Sequence, residues 1–246
     1  MTILAKFGNQ QSMDLSLLTL TFLDLLVALA IICAAFATDW YIERGPRADE
    51  STRAIMQKRR KEWMQVLAQR SLRMYDANLL SGLQSNAAFF TSTCLVALGG
   101  TFAILGQADR LVLVADALPI PHASEPATIR LRLFLPVVFL TYAFLKFAWS
   151  TRLFGYCAVL MGAIPEWGTA PEDEIYAASH RAGQLNGLAA RSFAGGLRGV
   201  YFALATLAWL IHPLAMVLAT LGVMRMIHRR EFRSESRAAM LGDGQS

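Results

Sequence analysis

The sequence is poor in charge and in the residue patterns that build catalytic or metal sites. Asp, Glu, Lys and Arg make up 17% of its 246 residues, whereas 55% belong to the apolar set. The three cysteines are far apart and form no C-x-x-C pair, which argues against a disulfide framework and a zinc site. The four histidines form no H-E-x-x-H motif. We therefore expect no metal ion.

Motifs of familiar enzymes are also missing. The sequence contains no G-x-S-x-G, Walker A or G-x-G-x-x-G pattern. We predict no catalytic residue, no enzymatic activity and no cofactor. The formal net charge of +5 could indicate a nucleic-acid partner, but the basic residues flank apolar stretches, where anionic lipid headgroups account for them. Membrane lipids are the expected partners, and nucleic acid is not.

The apolar residues lie in long blocks, and the mean hydropathy is +0.40. A helix needs about 20 apolar residues to cross the hydrocarbon of a bilayer. Four stretches are long enough: residues 15–37, 87–106, 133–161 and 200–223. The first lacks the features of a cleaved signal peptide, because Asp24 lies at its centre. The sequence predicts an all-α polytopic membrane protein with about four transmembrane helices in one domain, residues 15–224, between an N-terminal tail (1–14) and a basic C-terminal tail (225–246).

A long basic segment separates the first two apolar stretches. Residues 48–85 contain no Pro or Gly before Gly82, and Met56, Trp63 and Leu67 fall within about one helical stripe. This pattern predicts a basic amphipathic helix on the membrane surface. The alternative is a solvated helix that packs on the protein's own bundle. Contacts with lipid headgroups are expected from four consecutive residues: Lys58, Arg59, Arg60 and Lys61.

The distribution of Lys and Arg gives only a weak indication of orientation. With four spans, twelve of these residues fall on one side of the membrane and nine on the other. The flanks of the first span favour termini outside the cell and the amphipathic helix in the cytoplasm. A tail with five arginines is unusual outside. A cytoplasmic tail would require a re-entrant third stretch with an odd number of spans, or an external first connection.

Ionisable residues lie within three of the apolar stretches. Asp24, Lys146 and His212 are each near the middle of a stretch, where a charge costs about 3 kcal/mol on insertion scales and normally finds a partner. Ser150 lies one turn beyond Lys146 on the same helix face. We predict that these four side chains meet in an intramembrane polar core. The core would be either a path for ions, protons or small solutes, or a structural contact between helices that fixes their packing.

A second polar group precedes the second apolar stretch. Asp76, Asn78 and Gln84 are expected to form a polar cluster at the membrane interface. A carboxylate with two carboxamides is weak support for a membrane-embedded enzyme acting on lipid, and this is the least favoured of the possible functions.

Several short segments share a pattern with known sequences: residues 76–84 with 89–93, 144–150 with 154–157, 196–198 with 201–203, 207–209 with 212–213, and 229–234. In this combination the chain resembles, from about residue 24 to 237, a family of bacterial multi-pass membrane proteins grouped as domain of unknown function 599. The resemblance implies an inner-membrane protein without an assigned activity. It also implies that five of the polar residues belong to the family pattern: Asp76, Asn78, Gln84, Lys146 and His212.

Two functions remain open from the sequence. An accessory or scaffold protein that docks on a larger membrane complex needs no catalytic motif, and the sequence has none. A small transporter or channel would use the polar core of Asp24, Lys146 and His212. Four spans are few for a monomeric transporter, so this function would require a homo-oligomer. A protein partner in the membrane or a second copy of the chain is expected in either case.

Overall fold

The computed structural model describes residues 25–110 and 126–241, and these residues contain helices and no strand. Four helical segments are long and apolar enough to cross a membrane: Leu25–Arg44, Met74–Leu105, Thr128–Gly162 and Glu172–Leu210. The predicted all-α membrane fold is confirmed.

Seven α-helices follow one another along the described chain. They are α1 (Leu25–Arg44), α2 (Thr52–Ala68), α3 (Met74–Leu105), α4 (Pro126–Gly162), α5 (Glu172–Leu207), α6 (Pro213–Phe232) and α7 (Glu235–Leu241). Short 3-10 turns, Ala48–Glu50 and Ala208–Leu210, precede α2 and follow α5.

The helix predicted over residues 48–85 is not continuous. It ends at Ala68, and the chain turns before α3 begins at Met74. The turn contains no Pro or Gly. It is held by buried Asp76, whose Oδ1 accepts hydrogen bonds of 2.7 Å from Trp63 Nε1 and from Arg70 Nη1. Residues 74–85 therefore belong to the same long helix as the second apolar stretch.

The stretch predicted as the fourth span, residues 200–223, is also divided between two helices. α5 ends at Leu207, and α6 begins at Pro213. His212 has an extended backbone, with φ −160° and ψ 144°. Proline disfavours the helical conformation in the preceding residue and has no N–H to donate, so the helix stops and restarts there. The fourth apolar helix is therefore Glu172–Leu210, and α6 is a separate helix.

α5 lies between α4 and α2, and glycines allow this close packing. A Cβ on Gly196 would lie 2.7 Å from the ring of Phe147 on α4. On another face of α5, a Cβ on Gly187 would lie 2.2 Å from the side chain of Gln57 on α2. Side chains at these positions would push the helices apart.

Three of the helices are much longer than a bilayer requires. α3, α4 and α5 have 32, 37 and 36 residues, against the ~20 needed to span hydrocarbon. Their extra length projects at one end, where α2 packs along the first half of α5. We call this part, formed by α2 with residues 74–86, 151–162 and 172–191, the projecting half-bundle. Its core contains fully buried apolar side chains: Met64, Leu67, Leu80, Phe154 and Ile175.

α6 carries the chain back along α5. Its start lies beside Trp209, which also lines a cavity with Leu25 at the start of α1. Beyond its far end, Arg237 Nε donates a 2.9 Å hydrogen bond to the carbonyl of Glu50, beside α2. The two ends of the described chain, at Leu25 and Leu241, therefore lie at opposite ends of the bundle.

Candidate functional site

A buried ion cluster joins α1 to α5 within the apolar part of the bundle. Arg198 is 4% exposed, and its Nε donates to Asp39 Oδ1. Its Nη2 donates to Glu43 Oε1 at 3.3 Å. Asp39 and Glu43 are four residues apart on α1, so both carboxylates face the same guanidinium. The cluster is a strong link between two segments distant in sequence, because a buried charge without its partner is costly.

Tyr142 on α4 completes the cluster. Its hydroxyl donates a 2.9 Å hydrogen bond to Asp39 Oδ2. Lys146, one turn further along α4, places its Nζ 5.4 Å from the centre of the Tyr142 ring, a distance at which the cation is attracted to the ring face. Lys146 thus lies next to the ion cluster and is half-buried. Among the described residues it forms no ion pair with a carboxylate.

The predicted polar core is brought together only in part. Ser150 is buried below Lys146 and donates to the carbonyl of Ala189 at 2.8 Å. His212 lies apart, exposed at the start of α6, where its Nδ1 accepts from the Leu214 N–H at 3.1 Å. Lys146 packs beside Gly195. Gly195 is about 20 Å along α5 from the end of that helix, which is the end next to His212. Asp24 lies outside the described residues.

Sequence reasoning missed Asp39, Glu43 and Arg198 as a site. By sequence alone Arg198 counts as a charge in a connection, although it stands in an apolar segment between Gly196 and Gly199. The i, i+4 carboxylates at the end of the first apolar stretch were the available signal. No periodicity in the sequence could have paired them with an arginine 159 residues away.

The space beside the ion cluster is small. A cavity of about 30 Å³ lies between α1, α4 and α5, and most of its lining is apolar. Such a volume holds one or two water molecules. The cluster therefore borders a narrow pocket and not a wide channel.

Asp76, Asn78 and Gln84 do not meet in a single cluster. Asp76 is fully buried against Trp63 and Arg70, and its Oδ2 has no hydrogen-bond partner in the described part of the chain. Asn78 is exposed in a groove between α2 and α3. Gln84 faces α4, where its Nε2 lies 3.9 Å from the position that a Cβ of Gly155 would take. The three side chains point to three different neighbours.

The groove between α2 and α3 is the largest apolar depression of the projecting half-bundle among the described cavities. Its volume is about 500 Å³. Apolar and polar side chains line the groove. The apolar ones are Met56, Trp63, Leu79 and Leu83, and the polar ones are Arg59, Arg60, Asn78 and Asn86. It exists because α2 packs on α5 and α3 packs on α4, which leaves the space between α2 and α3 open.

The four basic residues predicted to contact lipid headgroups differ in their surroundings. Lys58, Arg59 and Lys61 are exposed, and Arg59 pairs with Glu62 at 2.9 Å. Arg60 instead points inward and donates to Asn186 Oδ1 at 2.6 Å, and burial lowers the pKa of its guanidinium. α2 packs lengthwise on α5, as the alternative of a helix packed on its own bundle predicts.

Comparison with known proteins adds a family and no activity. A family model described as "Protein of unknown function, DUF599" matches residues 25–236. No curated protein and no solved structure matches the chain. The match covers α1 to α6 and the first two residues of α7, and it agrees with the resemblance seen in the sequence. The chain therefore belongs to the DUF599 family of proteins of unknown function.

Proposed function

We propose that the protein is a non-enzymatic membrane adaptor that binds a partner protein in the groove between α2 and α3. The groove is the observation that carries this proposal. It combines apolar side chains with the guanidinium groups of Arg59 and Arg60, and it lies in the projecting half-bundle.

The chemistry of the groove favours an acidic amphipathic helix as the partner. Trp63, Leu79 and Leu83 offer an apolar floor to the apolar face of such a helix. Arg59 and Arg60 of α2 line the same groove, and the exposed guanidinium of Arg59 would face its acidic residues. Charge complementarity of this kind speeds association and selects the partner.

We further propose that the projecting half-bundle lies in the cytoplasm and that α6 is a fifth crossing of a bacterial inner membrane. The uncharged part of α6, residues 213–224, is about 18 Å long and would cross the hydrocarbon up to the basic residues that follow it. Residues 44–73 carry nine Lys and Arg and residues 225–237 carry five, whereas residues 106–132 at the other end carry three. Five crossings put both basic segments on the same side, as the positive-inside rule requires.

Transport of ions or protons is the second candidate, because Lys146 and the cluster of Arg198 and Asp39 lie within the apolar spans. The adaptor is preferred on two grounds. Arg198 is already neutralised by two carboxylates, and the adjoining cavity is small. Proteoliposomes provide the test of transport: a proton or ion flux abolished by Lys146→Met would favour this candidate over the adaptor.

A photo-crosslinking amino acid in the groove tests the adaptor. We expect the probe at Leu79, in the groove, to crosslink to a protein in intact cells, and the crosslinked peptide to map to an acidic amphipathic helix. The same probe at Leu95, an exposed apolar residue in the span region of α3, is the matched control and should reach lipid. Arg59→Glu should abolish the protein crosslink. Crosslinks only to lipid from Leu79, or a protein crosslink unaffected by charge reversal, would contradict the proposal.

A further inference from the structure

One face of α6 changes from apolar to basic within a single turn. Leu214, Leu218 and Leu221 are 65%, 69% and 55% exposed. Arg225 and Arg229 continue the same face at helical spacing, and both are exposed. The basic part of this face lies toward the end of α6 that approaches α2. There the hydroxyl of Thr52 donates a 3.1 Å hydrogen bond to the carbonyl of Glu231.

The arginines line a cleft beside the turn into α7. The cleft has a volume of about 790 Å³ and contains Arg225, Arg229, Arg230 and Arg233. α7 closes one side and is anchored by the Arg237 hydrogen bond to Glu50. The cleft is therefore built from two helices and is more than a row of charges on one helix.

Three of these arginines are unpaired in the described part of the chain, although Glu235 also lines the cleft. Arg225, Arg229 and Arg233 form no ion pair within residues 25–110 and 126–241, while Arg230 donates to the Tyr201 hydroxyl at 3.1 Å. Neighbouring turns of a helix bring like charges close enough to repel. Guanidinium groups at this spacing are suited to hold a phosphate by forked, charge-assisted hydrogen bonds.

Gly222 lies about one helical turn before Arg225 on α6 and leaves open space at this edge of the cleft. Apart from its chain neighbours and its own helix backbone, no atom lies within 4 Å of the position that its Cβ would occupy, and the residue lines the same cleft. A gap between an apolar face and a basic one fits a molecule that is itself apolar on one side and anionic on the other.

We propose that this cleft binds an anionic glycerophospholipid of the leaflet next to the projecting half-bundle. Its phosphodiester lies among Arg225, Arg229 and Arg233, and an acyl chain passes Gly222 and lies along Leu218 and Leu221. The site is separate from the α2–α3 groove, so it does not depend on the partner proposed above, but it rests on the proposed membrane crossing of α6. It also differs from the headgroup contacts predicted for Lys58 to Lys61, which lie on another helix.

The test measures lipid binding to the full chain in uncharged detergent, by native mass spectrometry and by thermal unfolding. Phosphatidylglycerol should bind and raise the unfolding temperature, whereas phosphatidylcholine should not. Arg225→Gln with Arg229→Gln and Arg233→Gln should weaken phosphatidylglycerol binding roughly a hundred-fold, since each basic residue near an anionic lipid surface contributes about five-fold. All three side chains are exposed, so their loss leaves no buried group unpaired.

A matched control and a second variant complete the test. Arg152→Gln with Arg181→Gln and Arg191→Gln removes the same charge from exposed positions of α4 and α5 and should leave binding unchanged. Gly222→Leu keeps every arginine and fills the gap. It should therefore weaken lipid binding and leave unaltered any change in unfolding temperature that inorganic phosphate causes. Equal losses from both triple variants would overturn the proposal, because net charge would then be the cause. A response to inorganic phosphate equal to that of the lipid would also overturn it, as would unchanged lipid binding in Gly222→Leu.

Discussion

Replacing Arg198 by Met should destabilise the protein strongly, because the substitution breaks the buried ion cluster between α1 and α5. It leaves the carboxylates of Asp39 and Glu43 without their cation, and their side chains are 19% and 27% exposed. Removing one partner of a buried ion pair costs about 3–5 kcal/mol. Because the two carboxylates are partly exposed, we expect the free energy of unfolding to fall by about 3 kcal/mol, near the lower end of this range.

The free energy of unfolding can be followed by circular dichroism as SDS is titrated into mixed micelles. Arg130→Met is the matched control, since Arg130 pairs with Asp109 at 3.3 Å while both side chains are at least half exposed. An exposed pair of this kind contributes at most about 1 kcal/mol. The double variant Arg198→Met with Asp39→Asn should recover part of the loss, because one of the uncompensated charges is then removed.

Two results would refute this reasoning. If Arg198→Met costs no more than Arg130→Met, the ion cluster contributes little to the stability of the bundle. If Asp39→Asn adds its full cost to that of Arg198→Met, the two residues do not interact, since independent sites give additive changes and contacting sites do not.

Three further predictions concern packing, the turn before α3 and topology. Gly196→Ala should lower stability by about 1–3 kcal/mol because its Cβ would overlap a phenylalanine ring, whereas Gly100→Ala, with nothing within 4 Å, should be neutral or stabilising in the same titration. Asp76→Ala should cost about 2 kcal/mol and speed proteolysis between α2 and α3, since two donors lose their acceptor; unchanged proteolysis would contradict this. In a cysteine-free background, Ser236→Cys and Asp109→Cys should react with an impermeant thiol reagent from opposite sides of the membrane, and labelling from one side would exclude the proposed course of α6.

Much of the fold could be predicted because crossing a membrane is a local requirement. A helix that satisfies its own backbone hydrogen bonds and presents about 20 apolar residues meets it wherever it stands. The helical segments near residues 25–37, 87–105 and 133–161 were therefore evident from composition alone. The break at Pro213 also had a local signal, the proline itself, but the apolar run on both sides of it favoured a single span.

The turn after Ala68 had no such signal. No Pro or Gly occurs between residues 69 and 73, and the segment has the composition of a continuing helix. The chain turns there because Asp76 reaches Trp63 and Arg70 once α2 is packed on α5. Tertiary contacts outweighed local helix propensity, which amounts to less than about 1 kcal/mol per residue.

The sequence by itself determined that this chain is a helical membrane protein of a given family, with charges that need partners inside the apolar spans. The tertiary structure decided which partners they have. Lys146 was expected to meet His212, yet the cluster beside it is formed by Arg198, Asp39 and Tyr142. Pairing of this kind depends on the depth and the rotation at which separate helices pack, and helical periodicity specifies neither, because it relates only residues on the same helix.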